Sequence, residues 1–333
     1  MSLATQVAGG PFFEDLQVGQ TVDSAPALTL ADGIAAAHGA IVGERLRLAL
    51  DAELSRRVLG GALASPALVW DVAIGQSTLF TQRVIANLFY RGFMFRQAPC
   101  LGDTLRTTTA VVALRQNRSR PGRAATGLAA LRIRTTDQNG RAVLDFWRCA
   151  MLPLRNPEGQ TGHNSDLEAI PAQLDPGALS MPIAGWDLRA FRAAVPGQHF
   201  AELVPGTTWE IAGGDVVSSA PELARLTLNV AMAHHDAASS AAGRLVYGGH
   251  TIGLAAAQAT RALPNLVTIV AWHSCDHLGP VREGDTLRST LEIERGEPLP
   301  GGGGLVHLRS RVRADRDGVA QDVLDWRFVG VMA

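Results

Sequence analysis

One short string occurs twice in this chain, and that repetition limits what the chain can fold into more than any other feature. Gly-Asp-Thr-Leu-Arg runs from Gly102 to Arg106 and returns from Gly284 to Arg288, 182 residues later. In nearly the same register, Phe13-x-x-Leu16-x-x-Gly19 returns as Phe200-x-x-Leu203-x-x-Gly206, and Val143-Leu144-Asp145-Phe146 as Val323-Leu324-Asp325-Trp326. Two similar units in tandem are the expectation. They fall at residues 1–155 and 197–333, with a crossover linker at 156–196 that is rich in Pro, Gly, Asn and Asp. At 333 residues the chain is long enough for each unit to bury its own core.

Each copy reads in the same order. An Ala-rich helical stretch, residues 28–40 or 221–233, leads through a loop to a paired glycine, Gly60-Gly61 or Gly248-Gly249. A longer helical run of small and apolar residues follows at 64–79 or 251–263. Alternating segments such as 104–114, 127–135 and 286–293 then read as strands. A long helix followed by a run of strands indicates an α+β class, with an antiparallel sheet wrapped on a helix.

Composition excludes several functions. The charged fraction is 18% and the formal net charge −1, so nothing draws the chain toward nucleic acid or an anionic membrane. All 30 basic residues are arginine, which rules out a Schiff-base lysine, a P-loop lysine and a lysine general base. Cys100, Cys149 and Cys275 form no C-x-x-C pair and are odd in number, as expected of a reducing cytoplasm rather than a disulfide framework. No apolar run approaches the ~18 residues of a membrane span, and the opening residues lack the pattern of an export signal.

Carried inward at an offset of 185, the repeat sets Glu44-x4-Ala49 against Asn229-x4-His234. The second copy alone has a titratable imidazole there, so any chemistry is expected to be one-sided. His234 supplies a proton shuttle near neutrality. Asn229 supplies an amide able to hold a water, and Asp236 a carboxylate two residues on. Gly248 and Gly249, opening a helix, offer bare backbone N–H groups to a developing oxyanion. His235 is expected to point away from this site.

These residues resemble the MaoC-like dehydratases, the R-specific enoyl-CoA hydratase group of the hotdog superfamily. Asn229-Val-Ala-Met-Ala-His234, Val246-Tyr247-Gly248 and Pro280-Val-Arg-Glu-Gly284-Asp285-Thr-Leu287 correspond to the family's three elements, with asparagine at 229 where the commoner pattern has aspartate. Asn229-x4-His234-x-Asp236 and Tyr247-Gly248-Gly249-His250 are more similar to the mesaconyl-CoA hydratase-like and type 2 thioester dehydratase branch. The resemblance implies a double hotdog in which an acyl-CoA enters a tunnel between the copies, the second copy catalysing and the first shaping the pocket. It implies no cofactor and no metal, with Tyr247 and His250 at the pocket. A homodimer is compatible with it.

Four arginines in one turn, Arg115, Arg118, Arg120 and Arg123, form either a solvated loop or a clamp for CoA phosphates. His273-x-Cys275-x-His277 would share one face of a strand, but same-face neighbours lie roughly 6.5 Å apart, awkward for one tetrahedral ion. The leading reading is hydration of an enoyl-CoA, or the reverse dehydration of a 3-hydroxyacyl-CoA. The alternatives are an acyl-CoA-binding protein without turnover, and a hotdog thioesterase using Asp71.

Overall fold

Alternation of apolar and polar residues folds each copy into a short strand pair, a buried helix and four long strands. The chain is described here by a computed structural model covering residues 8–239 and 243–333; the first seven residues of the expected first unit lie outside the described residues. The first copy contains β1 (Thr21–Val22), β2 (Leu28–Thr29), α1 (Asp32–Val42), α2 (Arg47–Leu50), α3 (Ala52–Leu59), α4 (Pro66–Gln76), β3 (Ala86–Phe95), β4 (Thr104–Gln116), β5 (Thr126–Thr136) and β6 (Ala142–Pro153). After α5 (Leu188–Ala194), the second contains β7 (Thr208–Glu210), β8 (Asp215–Val216), α6 (Ala220–Leu226), α7 (Gly248–Ala262), β9 (Leu266–His277), β10 (Thr286–Pro298), β11 (Gly304–Arg316) and β12 (Val319–Met332).

All the strands join one sheet in the order β1-β4-β5-β6-β3-β9-β12-β11-β10-β7, with β2 also on β4 and β8 on β10. The order reads the same from either end, so the copies are related by a pseudo-two-fold axis. They meet where β3 pairs antiparallel with β9, Phe93 opposite Trp272 and Met94 opposite Ala271. The central helices α4 and α7 lie on one face of the sheet and pack against each other.

Three local expectations are corrected. The helical stretch at 28–40 begins as strand β2, and its helix starts only at Asp32. Gly60-Gly61 ends α3 and does not open the central helix, which starts at Pro66 behind the Ser65 cap. Residues 156–196 are more than a crossover. Leu179, Ile183, Leu188 and Phe191 from this stretch bury against Leu54 and Val58 of α3 and against Val267, Val329 and Val331 on the outer face of the sheet.

The main core crosses the boundary between the copies. Trp70 of α4 sits edge-on to Trp272 and Trp326 of the second copy, at ring separations of 5.1 and 6.0 Å. Trp272 stacks on Phe93 at 3.8 Å, and Trp326 on Phe328 at 3.9 Å. Each such aromatic pair adds about 0.5–1.5 kcal/mol beyond the area it buries. Trp70 is fully buried, so Trp70→Ala is expected to lower the unfolding free energy by about 3–5 kcal/mol and to do so in one transition, because the indole belongs to both copies. Denaturant unfolding followed by two probes checks this; a loss under about 1 kcal/mol, or two separated transitions, would contradict a shared core.

Candidate active site

The segment carrying Asn229 and His234 is placed by a glycine of the other copy. Gly75, in α4, lies so close to the backbone after α6 that a Cβ there would stand 1.8 Å from the Thr227 carbonyl oxygen. Next to this contact Leu228 takes φ +60°, the left-handed region that branched and bulky residues avoid. The Asn229 N–H then closes onto the Ala224 carbonyl at 2.9 Å, and the Val230 N–H donates to Thr78 Oγ1 of the first copy at 3.0 Å. The first copy repeats the backbone of this turn: Gly43 has φ +71°, and Glu44 N–H closes onto Gly39 at 2.9 Å. The offset of 185 is therefore a structural equivalence, and Glu44 and Ala49 stand where Asn229 and His234 stand.

A cavity of about 300 Å³ opens beside this segment, lined by both copies. Thr78, Thr81, Tyr90 and Arg148 come from the first copy, and Asn229, His234, Tyr247, Gly248 and His277 from the second. His234 Nδ1 lies 3.0 Å from the Leu245 carbonyl oxygen, which can only accept, so Nδ1 carries the proton and Nε2 is left with a lone pair. Burial drives the His234 pKa down to about 4, and His235 and Arg148 push the same way against the Leu245 carbonyl. The imidazole is thus a neutral base near pH 7. Asn229 Oδ1 accepts from Ala231 N–H at 3.0 Å, which leaves Nδ2 as its free donor. His277, held near a pKa of about 4 by burial, has a buried Nε2 with no partner among the described residues.

The start of α7 is open where the start of α4 is closed. Ser65 accepts from Ala67 N–H at the N-terminus of α4 and donates to the Glu44 carboxylate, which also accepts from Arg45 and Leu46 N–H. Among the described residues no side chain caps α7, whose first residue, Gly248, faces the cavity. Its unpaired N–H groups and the positive end of the helix dipole remain for a ligand. Glu44 has taken that place in the first copy.

The remaining expected residues are dispersed. Asp236 is exposed and accepts from Ala238 N–H at 2.8 Å, so it closes its own turn and leaves the support of His234 to Leu245. His235 turns its Nε2 to the Asn229 carbonyl at 2.6 Å, away from the cavity as expected. His250 is fully buried and does not line the pocket; its ring points into the protein interior, with neither nitrogen partnered among the described residues. Gly249 also stands off the cavity, where a Cβ would strike Asp71 and Tyr247. Asp71 is buried 2.9 Å from His38 Nε2, its carboxyl raised by burial against the lowering pull of His38, and it too is absent from the lining. Arg115 lies one residue before the end of β4 at Gln116, while Arg118, Arg120 and Arg123 are exposed on the turn to β5; none lines the cavity. A register shift in β9 opposite Arg327 and Phe328 sets His273 against His307, 2.7 Å away, and His277 in the cavity, so the two do not share a face.

Two cavity residues escape a motif-based reading. His277 is hidden in that trio because the bulge is not visible in its spacing. Arg148 leaves a signal: strict alternation along β6 puts Leu144, Phe146, Arg148 and Ala150 on the core face, and the repeat sets Arg148 against Phe328. An arginine where the sister copy has a buried phenyl ring is a residue the fold itself does not require.

No family model matches the chain. Among curated proteins it is similar to β-methylmalyl-CoA dehydratase of Chloroflexus aurantiacus, 28% identical over 94% of this chain and 90% of that protein. It is equally similar, at 28%, to mesaconyl-CoA hydratase of Cereibacter sphaeroides, over 90% and 88%. Among solved structures, RV0216 of Mycobacterium tuberculosis, a conserved protein with a double hotdog fold, is 54% identical with a TM-score of 0.92 over 98% of this chain and 99% of that one. A MaoC domain protein of Chloroflexus aurantiacus is 26% identical with a TM-score of 0.87 over 99% of each. With its two copies closed into a single sheet and these relatives matched along nearly their whole length, the chain belongs to the MaoC-like double hotdog family.

Proposed function

We propose that the protein hydrates an enoyl-CoA thioester, or runs the reverse dehydration of a 3-hydroxyacyl-CoA. The observation that carries this reading is the bare Nε2 of a neutral His234, facing a cavity beside the open N-terminus of α7. The Gly248 N–H holds the thioester carbonyl and stabilises the enolate as charge moves onto its oxygen. Asn229 Nδ2 donates to the attacking water, and His234 Nε2 removes a proton from that water as its oxygen bonds to Cβ. The proton then passes to Cα as the enolate collapses, so the elements of water are added and His234 ends neutral. Dehydration runs the same steps backward. The curated relatives, one named as a dehydratase and one as a hydratase of CoA thioesters, support this reading. A thioesterase built on Asp71 would need that carboxylate in the cavity, and Asp71 is buried behind it.

Binding of the CoA tail is assigned to the arginine turn. Ala86, Met151, Leu128 and Arg115 lie in one row across β3, β6, β5 and β4. At about 4.8 Å per strand, Arg115 stands roughly 14 Å from the cavity wall, a span suited to the pantetheine arm. Among the described residues none of the four guanidinium groups pairs with a carboxylate. Cytoplasmic action fits the three free cysteines, and no described helix is long and apolar enough to cross a membrane.

Loss of enoyl absorbance across a panel of unsaturated acyl-CoAs tests the activity. His234→Ala is expected to lower kcat by ~10²–10⁴-fold, the usual contribution of one acid–base group, with acyl-CoA affinity held within a few-fold. Full activity in that variant would remove His234 from the mechanism, and binding without turnover by the native protein would leave an acyl-CoA-binding protein. Reversal of Arg118 and Arg120 to glutamate is expected to raise KM by about tenfold or more with kcat little changed, since phosphate contacts are equal in ground and transition states. An unaltered KM would return the turn to a solvated loop.

A further inference from the structure

One charged side chain in the cavity has no role in this mechanism. Arg148 is 4% exposed, and its guanidinium is held rigidly: Nε donates to Ser77 Oγ at 3.1 Å, and Nη2 donates to the Ser77 carbonyl at 3.1 Å and to Thr81 Oγ1 at 2.7 Å. All three acceptors are neutral. Nη1 meets no acceptor among the described residues, and no carboxylate pairs with the group. Among the described residues no Asp or Glu lines the cavity, and its two histidines are neutral near pH 7, so Arg148 leaves the cavity with an uncompensated positive charge. A buried ion without a counter-ion is strongly unfavourable. The fold does not call for it, since Phe328 fills the equivalent place in the second copy.

We propose that the missing counter-ion is the substrate's own: the acyl group ends in a second carboxylate, and Arg148 receives it. This deepens the hydration reading and rests on it for the reacting end of the same molecule. A guanidinium immobilised through Nε and Nη2 still presents the two N–H groups of Nη1, charge-assisted donors to a carboxylate. A cavity of about 300 Å³ suits a short acyl group, with Arg148 on the first-copy wall and His234 on the second. The substrate is then gripped at its distal carboxylate by one copy and worked on at its double bond by the other. An alkenoyl chain ending in a methyl group would seal the guanidinium from water and leave it unpaired.

Succinyl-CoA and butyryl-CoA test this without turnover, because both are saturated and they differ at the distal end by a carboxylate. Titration calorimetry on the native protein is expected to show succinyl-CoA bound about 100-fold more tightly, near the upper end of what hydrogen bonding to one charged group contributes. In Arg148→Gln, with folding verified by thermal unfolding, that ratio is expected to fall to within a few-fold, while Arg148→Lys keeps part of it. Equal affinities in the native protein would overturn the proposal, as would a preference that survives Arg148→Gln. Kinetics separate it from the hydration reading. A preference for succinyl-CoA with no hydration of mesaconyl-CoA or crotonyl-CoA would end the hydration reading and keep the carboxylate site. Equal hydration of both, with no binding preference, would do the reverse. Equal slowing of both substrates by Arg148→Gln, again without a binding preference, would place Arg148 at the reacting carbons and overturn the carboxylate role.

Discussion

The missing side chain at Gly75 is the constraint on which the site depends. It lets the backbone at Thr227 lie against α4, and from that contact follow the left-handed turn at Leu228, the closure of Asn229 on Ala224 and the anchor of Val230 on Thr78. A left-handed conformation at a non-glycine residue is unfavourable by of order 1–3 kcal/mol and persists only where the surroundings impose it. Here they are imposed from the other copy, whose own version of the turn relaxes onto Gly43. The second copy thus owes its working geometry to the first, and the aromatic core through Trp70 keeps the two in register.

The two copies share a backbone and differ in electrostatics. In the first, the N-terminal end of the central helix is filled by Ser65 and Glu44, a stable cap with no room for a ligand. In the second, the helix end is bare and faces a cavity that, among the described residues, is lined by neutral imidazoles and a guanidinium but no carboxylate. Low dielectric strengthens every interaction in that space.

Repetition makes the architecture legible from sequence, because strings that recur in order at nearly the same offset imply tandem folds. Even the equivalence of Glu44 with Asn229 is carried by matching backbone hydrogen bonds. His234 was legible for the same reason, as a chemical group present in one copy and absent from the other. Asp236 and His250 depart from the expected site because spacing says which residues are near in the chain, not which way a loop or helix turns them: one closes its own turn and the other lies on the buried side of α7. His277 was obscured by a bulge that breaks the alternation of its strand. Arg148 was legible in principle, on the core face of an alternating strand opposite a phenylalanine of the repeat, yet it carries no motif and is one of 30 arginines.

The central claim is that His234 is a neutral base with its proton fixed on Nδ1, and histidine-selective ¹⁵N NMR, assigned with His234→Gln, tests it most directly. Because burial lowers the folded-state pKa to about 4, the charged form is the disfavoured one. The ring is therefore expected to stay neutral as pH falls from 8 to 5, with Nε2 unprotonated throughout, and to take up its second proton only near pH 4. Protonation centred near the ordinary 6.5 of a solvated histidine, or a neutral form carrying its proton on Nε2, would contradict the account.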